Sequence, residues 1–362
     1  MRAFLVEGPG KCGIVEVEEP RPGHGELLIA PAVVGLCGSD LELLMGRRPP
    51  QYVRYPTIPG HEWAGYVLGS GPGVFGFPPG TAVVAEGIRS CGRCDRCAEG
   101  RNNLCAGPYA ETGFTHPGAL AERLVVPAHL VHPLPADRPI AAAGLLEPAA
   151  CVATGLLELG MPRAGSRLAV VGDGPLGLLA CALLRLTSPR ELLLFGARPA
   201  RLAFGERMGA TATMPSPSPE HPERVDLRGR FDVVVECTDS PAGAAFAIEL
   251  ARRAGSVVLI GISGAHALTL DPDAISLGSL RVQGVFGASR AAWRWLLELY
   301  GAGLFAPDAL ITHRFGLDQV MDAFNVLTNL DAGALKVVVE SGMTAEEAML
   351  YSNSTRSTLT QV

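Results

Sequence analysis

Residues 167–177 read RLAVVGDGPLG, an apolar run followed by a glycine-rich turn. The turn is a G-x-G-x-x-G motif, and a helical pattern follows it. In a strand–turn–helix unit, the first glycine permits the tight turn, the second admits a pyrophosphate to the helix N-terminus, and the third allows close helix–strand packing. The motif predicts a dinucleotide-binding site at Gly172, Gly174, Pro175, Leu176 and Gly177. The alternative is an ordinary strand–turn–helix junction.

The chain around this motif alternates short apolar runs with helical patterns. The predicted strands are residues 167–172, 191–196, 232–237, 256–261 and 280–287, and the predicted helices are 176–186, 199–208 and 242–253. Such alternation is typical of a parallel, doubly wound α/β sheet. Residues 214–230, rich in proline and serine, are predicted to form a surface loop. The first part of the chain, to about residue 150, has short apolar runs broken by glycine and proline, which favour a β-rich domain.

The end of the second of these strands bears on which dinucleotide binds. An NAD site usually has Asp or Glu there, about 20 residues beyond the glycines, to bind the ribose 2′-hydroxyl. Here Gly196 holds that position, and Arg198 and Arg201 follow it. Without a carboxylate a 2′-phosphate is not repelled, and a guanidinium binds phosphate in bidentate fashion. The pattern favours NADP(H) over NAD(H), unless both arginines are solvated residues at a helix start.

The composition excludes several classes of protein. The 362 residues are 48% hydrophobic and 18% charged, which suits large buried cores. The net charge of −6 argues against a nucleic-acid partner, which requires a positive surface. No apolar run reaches the ~18 residues of a membrane helix, and the N-terminus lacks the apolar core of a signal peptide. We therefore expect a cytoplasmic protein with no membrane or nucleic-acid partner.

Four of the nine cysteines lie within residues 90–105, SCGRCDRCAEGRNNLC. They could form disulfides, a redox centre, a nucleic-acid-binding zinc knuckle or a structural zinc site. A reducing compartment disfavours disulfides, and the negative net charge disfavours the knuckle. Four thiolates make a closed tetrahedral zinc site that has no position for a substrate. The prediction is a structural zinc bound by Cys91, Cys94, Cys97 and Cys105.

Three further fragments carry potential zinc ligands near glycine or proline. They are GLCGSD at 35–40, PGHEWAG at 59–65 and LLEPAACV at 145–152. Cys37, His61 and Glu147 would supply a thiolate, an imidazole and a carboxylate. A catalytic zinc takes three protein ligands and keeps its fourth position open for water or substrate. Taken singly, each of these residues is more simply explained as a packed core residue.

These motifs, in this order over roughly residues 1–340, resemble the zinc-dependent medium-chain alcohol dehydrogenases. The resemblance implies an α/β protein with a GroES-like catalytic domain at 1–152 and a doubly wound Rossmann domain at 153–295. It also implies a C-terminal segment at 296–340 that returns to the first domain, followed by a polar tail at 341–362. In the tail, Thr344 and Glu347 could form a capping box for a short helix, and disorder is the alternative.

The resemblance assigns a role to each candidate site residue. The catalytic-zinc positions match Cys37, His61 and Glu147. Glu62 matches an acid that acts as an alternating ligand or supports the ligands, and Asp40 matches the carboxylate that orients the metal-binding histidine. Ser39 matches the hydroxyl that passes the substrate proton to solvent, while hydride goes to the nicotinamide. Glu42 stands where some members have the next histidine of the proton path.

A carboxylate at Glu147, in place of a cysteine, is similar to the polyol, sorbitol and threonine dehydrogenase branch. In that branch the segment matching residues 111–122 faces the substrate, so His116 is either a substrate contact or a loop histidine. The same fragments also resemble the 2-deoxy-scyllo-inosamine dehydrogenases, which oxidise a cyclitol hydroxyl in aminoglycoside biosynthesis. The resemblance implies two zinc ions per chain, NADP(H) or NAD(H), a polyhydroxylated substrate, and a homodimer or homotetramer. A glucose- or threonine-type dehydrogenase, a non-catalytic zinc protein and a zinc-free quinone reductase of this fold are the alternatives.

Overall fold

The computed structural model describes residues 1–218, 223–262, 264, 270–329 and 332–351. The chain forms two compact units. Unit 1 combines Met1–Glu147 with the described chain from Trp293 onward, and unit 2 is Pro148–Ala292. Among the described helices, none has both the length and the apolar character needed to cross a membrane.

The elements are numbered along the chain. The strands are β1 (Arg2–Gly8), β2 (Lys11–Glu16), β3 (Glu26–Gly35), β4 (Glu62–Ser70), β5 (Ala82–Ala85), β6 (Leu124–Pro127), β7 (Val131–Pro133), β8 (Arg167–Val171), β9 (Glu191–Gly196), β10 (Ala212–Pro215), β11 (Phe231–Glu236), β12 (Ala251–Leu259), β13 (Arg281–Gly284), β14 (Ile311–Gly316) and β15 (Lys336–Glu340). The α-helices are α1 (Gly38–Leu44), α2 (Asp95–Ala98), α3 (Ile140–Ala143), α4 (Leu146–Leu159), α5 (Pro175–Leu184), α6 (Pro199–Arg207), α7 (Glu223–Leu227), α8 (Pro241–Leu250), α9 (Pro272–Gly278), α10 (Arg290–Gly301), α11 (Val320–Thr328) and α12 (345–351).

Unit 1 is built on a seven-stranded sheet. Six strands follow the order β14-β15-β3-β4-β5-β7, β6 pairs with β3, and β1 and β2 form a separate antiparallel pair. The central strand β3, ELLIAPAVVG, is apolar over most of its length and buries all but its first residue. Since β15 pairs antiparallel with β3, the C-terminal chain forms part of the same sheet as the N-terminal domain. The expectation of a GroES-like β-rich domain is confirmed.

Unit 2 contains a six-stranded parallel sheet with the order β10-β9-β8-β11-β12-β13. The order reverses beside β8, which is the arrangement of a doubly wound sheet. Phe195, Phe231 and Phe246 fill one side of its core, with the Phe195 ring edge-on to both of the others. The turn after β8 needs its glycines, because a Cβ at Gly177 would lie 1.8 Å from the carbonyl oxygen of Gly172. The Rossmann prediction is confirmed.

Two sequence predictions in unit 2 were wrong in detail. Part of the expected loop at 214–230 is helix α7, because Leu227 is buried in the core and Arg224 pairs with Glu249 at 3.0 Å. The helix expected at 242–253 ends at Leu250. Residues 251–253 begin β12 instead, and Arg252 Nε donates to Asp232 Oδ1 at 2.6 Å.

The C-terminal part of unit 1 contributes a strand and a helix to this domain. After Tyr300 the chain forms β14 and α11, and α11 buries Val320 and Phe324 in the unit 1 core. In the tail, Thr344 and Glu347 form the capping box, with the Glu347 amide donating to Thr344 Oγ1 and the Thr344 amide donating to Glu347 Oε2. Ala348 of α12 is fully buried against the sheet. The rest of the tail, 352–362, lies outside the described residues.

Candidate active site

Three potential metal ligands converge in unit 1. Cys37 lies directly before α1, and His61 and Glu62 lie where the chain enters β4. One ligand atom from each of Cys37, His61 and Glu62 lies within 4.8 Å of the other two. Ligand atoms on one zinc ion are about 3–4 Å apart, so small side-chain movements would bring this group to metal-binding distance. Its thiolate, imidazole and carboxylate are donors that zinc accepts, and the group fits the metal.

Asp40 holds the histidine of this group in place. Its carboxylate is fully buried, with Oδ1 3.3 Å from His61 Nδ1 and Oδ2 accepting from the Cys37 amide at 3.0 Å. Burial by itself would lower the pKa of His61, but the interactions with Asp40 and Cys37 together outweigh burial and raise that pKa well above its usual value. Because Nδ1 lies against Asp40, Nε2 is the nitrogen left for a metal.

Lys336 pairs with Glu62 inside the sheet, a contact that the sequence analysis missed. The Lys336 side chain is 3% exposed and the Glu62 side chain is 2% exposed, and Nζ contacts Oε2. The neighbouring position on β3 is Gly35, where a Cβ would lie 2.6 Å from Glu62 Oε2 and 2.8 Å from Lys336 Cε, so a side chain there would displace this ion pair. A usable signal was present, because Lys336 is one of two lysines in the chain and stands among apolar residues.

Glu147 lies outside the group of three ligand atoms. It is in the first turn of α4, and burial raises the pKa of its carboxyl to about 7. Glu62 and Glu111 raise this pKa further, while His61 and Lys336 oppose them, so Glu147 belongs to the same electrostatic environment as the ligands. Its place as the third zinc ligand stays a prediction.

Ser39 and Glu42 are both on α1, with different surroundings. The Ser39 hydroxyl lies 3.7 Å from Cys37 Sγ, next to the candidate metal group. Glu42 pairs instead with Arg47 at 2.6 Å, and both side chains are largely exposed. Ser39 therefore lies beside the candidate metal group and its role in proton transfer stays a prediction, whereas Glu42 forms a surface ion pair.

A second polar cluster, missed in the sequence, lies beside His61. Arg48 contacts both Tyr109 and Glu111, with Nη2 3.1 Å from Glu111 Oε2. The Arg48 guanidinium also lies 3.6 Å from the centre of the Phe114 ring, which is itself 4.7 Å from the His61 ring. Burial raises the pKa of Glu111, and the charges of His61 and Arg48 lower it. We call Arg48, Tyr109, Glu111 and Phe114 the Arg48 cluster.

His116 follows the Arg48 cluster along the chain. Its Nδ1 lies 3.2 Å from Thr115 Oγ1, and its carbonyl accepts from the Gly113 amide at 2.8 Å. Gly113 packs against the turn that carries His61, where a Cβ would lie 3.1 Å from the His61 amide nitrogen. Burial, Arg89 and Arg54 lower the pKa of His116, which favours its neutral form. The segment adjoins the metal group, and a substrate contact by His116 stays a prediction.

The four cysteines of the 90–105 stretch form a separate group. The Cys94–Cys97, Cys91–Cys97 and Cys94–Cys105 sulfur separations are 3.5, 4.0 and 4.0 Å. Four sulfurs 2.3 Å from one tetrahedral zinc lie about 3.8 Å apart, so the group fits a zinc ion and not a pair of disulfides. Backbone amides donate to the sulfurs, and those of Ala106 and Cys97 lower the pKa of Cys94 to about 6. We call this group the four-cysteine lobe.

The predicted dinucleotide positions cluster at one end of the unit 2 sheet. Gly172 has φ +116°, Gly174 caps the N-terminus of α5, and Pro175 is its first residue. A Cβ at Gly174 would meet no atom within 4 Å, which leaves the space that a pyrophosphate requires. Gly196 ends the neighbouring strand β9, and Arg198 caps α6. Arg201 is close enough to Arg198 for their charges to interact.

Comparisons with known proteins agree with this architecture. Residues 23–136 match the alcohol dehydrogenase GroES-like domain model, and residues 175–302 match the zinc-binding dehydrogenase model. L-threonine 3-dehydrogenase of Deinococcus radiodurans is 29% identical over 94% of this chain and 98% of its own length.

Solved structures show the same likeness. A putative zinc-binding dehydrogenase from Sinorhizobium meliloti, bound to NADP, has a TM-score of 0.85 and 30% identity, covering 94% of this chain and 98% of that one. An Escherichia coli alcohol dehydrogenase, rspB, complexed with NADH, has a TM-score of 0.85 and 25% identity, covering 94% and 99%.

A Rossmann unit, a GroES-like unit and two groups of zinc-type ligands define a zinc-type dehydrogenase. The chain belongs to the zinc-dependent medium-chain alcohol dehydrogenase family. It is accordingly an alcohol dehydrogenase, an enzyme that interconverts an alcohol and a carbonyl compound with a nicotinamide cofactor.

Proposed function

We propose that this enzyme oxidises a secondary alcohol of a polyol, sugar or aminocyclitol to the ketone, with NADP(H) favoured over NAD(H). The observation that carries the proposal is the convergence of Cys37, His61 and Glu62 within 4.8 Å of one another. A closed structural site uses four ligands of the protein, whereas a mixed set of three leaves a position for substrate. The domain limits drawn from the sequence, 1–152, 153–295 and 296–340, belong to this proposal.

The residues around this group have separate tasks. Cys37 and His61 would hold the metal, with Glu147 as the third ligand and Glu62 as its alternative. Zinc, when bound, would supply Lewis-acid chemistry that lowers the pKa of the substrate hydroxyl. Asp40 orients His61, and Ser39 accepts the proton at its hydroxyl oxygen and passes it to solvent. A second zinc, held by the four-cysteine lobe, is structural.

The surroundings of the metal group support a substrate with several polar groups. The carboxyl groups of Glu62, Glu111 and Glu147 interact electrostatically beside the candidate metal group. Arg48 forms an ion pair with Glu111. Carboxylates accept hydrogen bonds from hydroxyl and ammonium groups, and a guanidinium donates to hydroxyl or carboxylate oxygens. A simple aliphatic alcohol would make no use of these groups. His116 is the candidate contact on the adjoining segment.

L-Threonine is the second candidate substrate. The observation that favours it is the 29% identity to a protein named L-threonine 3-dehydrogenase, over 98% of that protein's length. Threonine and an aminocyclitol share an amino group beside a secondary hydroxyl. They differ in the carboxylate, which Arg48 would bind in threonine.

The cofactor preference is supported by Gly196, Arg198 and Arg201 at the end of β9. The S. meliloti structure was determined with NADP and the E. coli structure with NADH, so this family fold accepts both.

Metal analysis and a substrate panel test the proposal. We expect two zinc ions per chain and alcohol-dependent reduction of NADP, with activity on aminocyclitols or polyols exceeding activity on L-threonine. Activity confined to L-threonine would favour the second candidate. One zinc per chain, with no cofactor reduction by any alcohol of the panel, would contradict both.

Self-association through the Rossmann sheet is part of the same proposal. Strand β13 is one of the two edge strands of that sheet, with exposed apolar side chains at Val282 and, just beyond the strand, at Phe286. An exposed edge strand with apolar residues is a common surface for pairing with a second copy. We expect a dimer or tetramer by light scattering, and a monomer for Val282→Glu if β13 forms the contact.

A further inference from the structure

The second residue of the G-x-G-x-x-G motif makes a contact that the motif does not require. Asp173 is 8% exposed, and its Oδ2 accepts hydrogen bonds from the amides of Ala197 at 2.9 Å and Arg198 at 2.7 Å. These two amides immediately follow β9, so the Asp173 carboxylate crosses from the β8–α5 turn to the end of the neighbouring strand.

This contact explains the glycine at the end of β9. A Cβ at Gly196 would lie 2.5 Å from Asp173 Cβ and 2.6 Å from Asp173 Oδ2. Any side chain at 196 would therefore displace Asp173. An acidic side chain at 196 and the Asp173 carboxylate in its present position therefore exclude one another.

The end of this strand is where a dinucleotide-binding fold distinguishes NAD from NADP. An acid there binds the 2′-hydroxyl of the adenine ribose, whereas a 2′-phosphate is bound by an arginine. At this position the Asp173 carboxylate, a negatively charged group, accepts the hydrogen bonds of the Ala197 and Arg198 amides. Among the described residues its second oxygen, Oδ1, has no hydrogen-bond donor and could accept from a ribose hydroxyl.

The positive charges of Arg198 and Arg201, which lie beside Asp173, favour the binding of a 2′-phosphate. Burial and the charge of Arg198 lower the pKa of Arg201, and the charge of Asp173 raises it, so these three groups lie within electrostatic reach of one another. Arg198 and Arg201 would attract a 2′-phosphate, and the Asp173 carboxylate would repel it. Like charges repel one another more strongly in partly buried surroundings than in water, so this repulsion would change the relative affinities for the two dinucleotides.

We propose that Asp173 is the residue that sets the ratio of NADP to NAD binding, by occupying the Ala197 and Arg198 amides with a carboxylate. It takes the role of the missing strand acid, and it limits the preference for NADP that Arg198 and Arg201 provide. The inference rests on the proposed dinucleotide site, and not on the identity of the alcohol substrate.

Calorimetric titration of the whole protein with ADP-ribose and with 2′-phospho-ADP-ribose tests the proposal without any turnover. Asp173→Asn keeps an acceptor for the two amides and removes the charge. We expect the affinity for 2′-phospho-ADP-ribose to rise at least about tenfold, since the repulsion is gone, and the affinity for ADP-ribose to stay equal or fall. Arg198→Ala should change the ratio in the opposite direction.

Asp226→Asn is the matched control, since Asp226 is an exposed carboxylate of the same unit on α7. It should leave both affinities unchanged. If Asp173→Asn does not keep the melting temperature of the parent, Asp173→Ser repeats the test with a neutral hydroxyl acceptor. Unchanged affinities for both ligands, or an equal change in both, would overturn the role of Asp173 while the dinucleotide site stands. Failure of the parent protein to bind either ligand would refute the site itself.

Discussion

The four-cysteine lobe and the Cys37–His61–Glu62 group are two candidate metal sites of different construction within one unit. The lobe uses four identical donors from a single stretch of fifteen residues, Cys91–Cys105, and Cys91 is exposed. The other group uses three kinds of donor from two separate segments, and His61 and Glu62 are buried. The lobe is formed by one local segment and offers four ligands, whereas the other group is brought together by the fold and offers three.

The two groups also stabilise their charges differently. In the lobe, backbone amides of Cys91, Ala106 and Gly107 donate to sulfur at 3.3–3.4 Å. In the Cys37–His61–Glu62 group, charged side chains stabilise the ligands instead. Asp40 contacts His61, and Lys336 forms an ion pair with Glu62. Buried charges depend strongly on their partners, so single substitutions should affect the two regions in different ways.

The largest effect is expected for Cys37→Ala. Loss of a residue that supports a metal ligand typically costs roughly 10–100-fold in activity. Loss of a ligand itself from the Cys37–His61–Glu62 group, which we call the open group, should lower kcat/KM by more than that. Zinc content should fall by one ion per chain while the melting temperature changes little. The matched control is Cys12→Ala, since Cys12 lies apart from both groups with its Sγ 3.7 Å from Met321 Sδ. A Cys37→Ala enzyme that keeps its activity would exclude Cys37 as a ligand.

Cys94→Ala should produce the opposite result. Structural zinc contributes directly to folding. Each 1 kcal/mol lost from the free energy of unfolding lowers the melting temperature by about 2–4 °C, and we expect a total fall of about 10 °C or more. The folded fraction should keep the kcat of the parent when assayed well below that temperature. Differential scanning calorimetry and zinc analysis check this. Equal unfolding by Cys37→Ala and Cys94→Ala would remove the distinction between the two groups.

Lys336→Met tests the charge pairing behind the open group. It leaves Glu62 buried without its cation, so the free energy of unfolding at pH 7 should fall by about 3–5 kcal/mol in urea denaturation. The double variant Lys336→Met/Glu62→Gln removes both charges and should recover much of this loss. If the single and double variants are equally unstable, the ion pair is not the cause.

The smallest effect is expected for Asp40→Asn. The amide keeps the size of the side chain but loses the charge that orients His61, and zinc affinity at the open group should fall about 10–100-fold. Competition with a chelator measures this, and zinc in the four-cysteine lobe should be retained. Glu42→Gln on the same helix is the control, because Glu42 pairs with Arg47 at the surface. Equal zinc loss from both groups would contradict the prediction.

Much of this architecture was predictable because it is encoded over short distances. The alternation of apolar runs and helical patterns predicts β8, α5, β9 and the following elements, since each is specified by its own ten or so residues. The exceptions include β10 and α9, which were not predicted, and α7 and the end of α8, where contacts between residues distant in sequence decide the structure. Arg224 pairs with Glu249, and Arg252 on β12 pairs with Asp232 on the neighbouring strand β11.

The candidate site was predictable only in part. Cys37, His61 and the four lobe cysteines stand out by residue type and spacing. The Arg48 cluster and Lys336 do not, because an arginine or lysine in sequence looks the same whether its partner is water or a buried carboxylate. The absence of an acid at Gly196 was visible, whereas the contact of Asp173 with the amides that follow it was not.

The sequence by itself therefore determined the class of protein. The glycine turn, the spacing of the cysteines and the alternation of elements are local patterns, and local sterics and ligand chemistry are enough to interpret them. The tertiary structure decided which charges meet. Antiparallel pairing of β15 with β3 brings Lys336 to Glu62, and parallel pairing of β8 with β9 brings Asp173 to the end of the next strand. Pairing between strands distant in sequence is set by the packing of the whole sheet, and no local pattern records it.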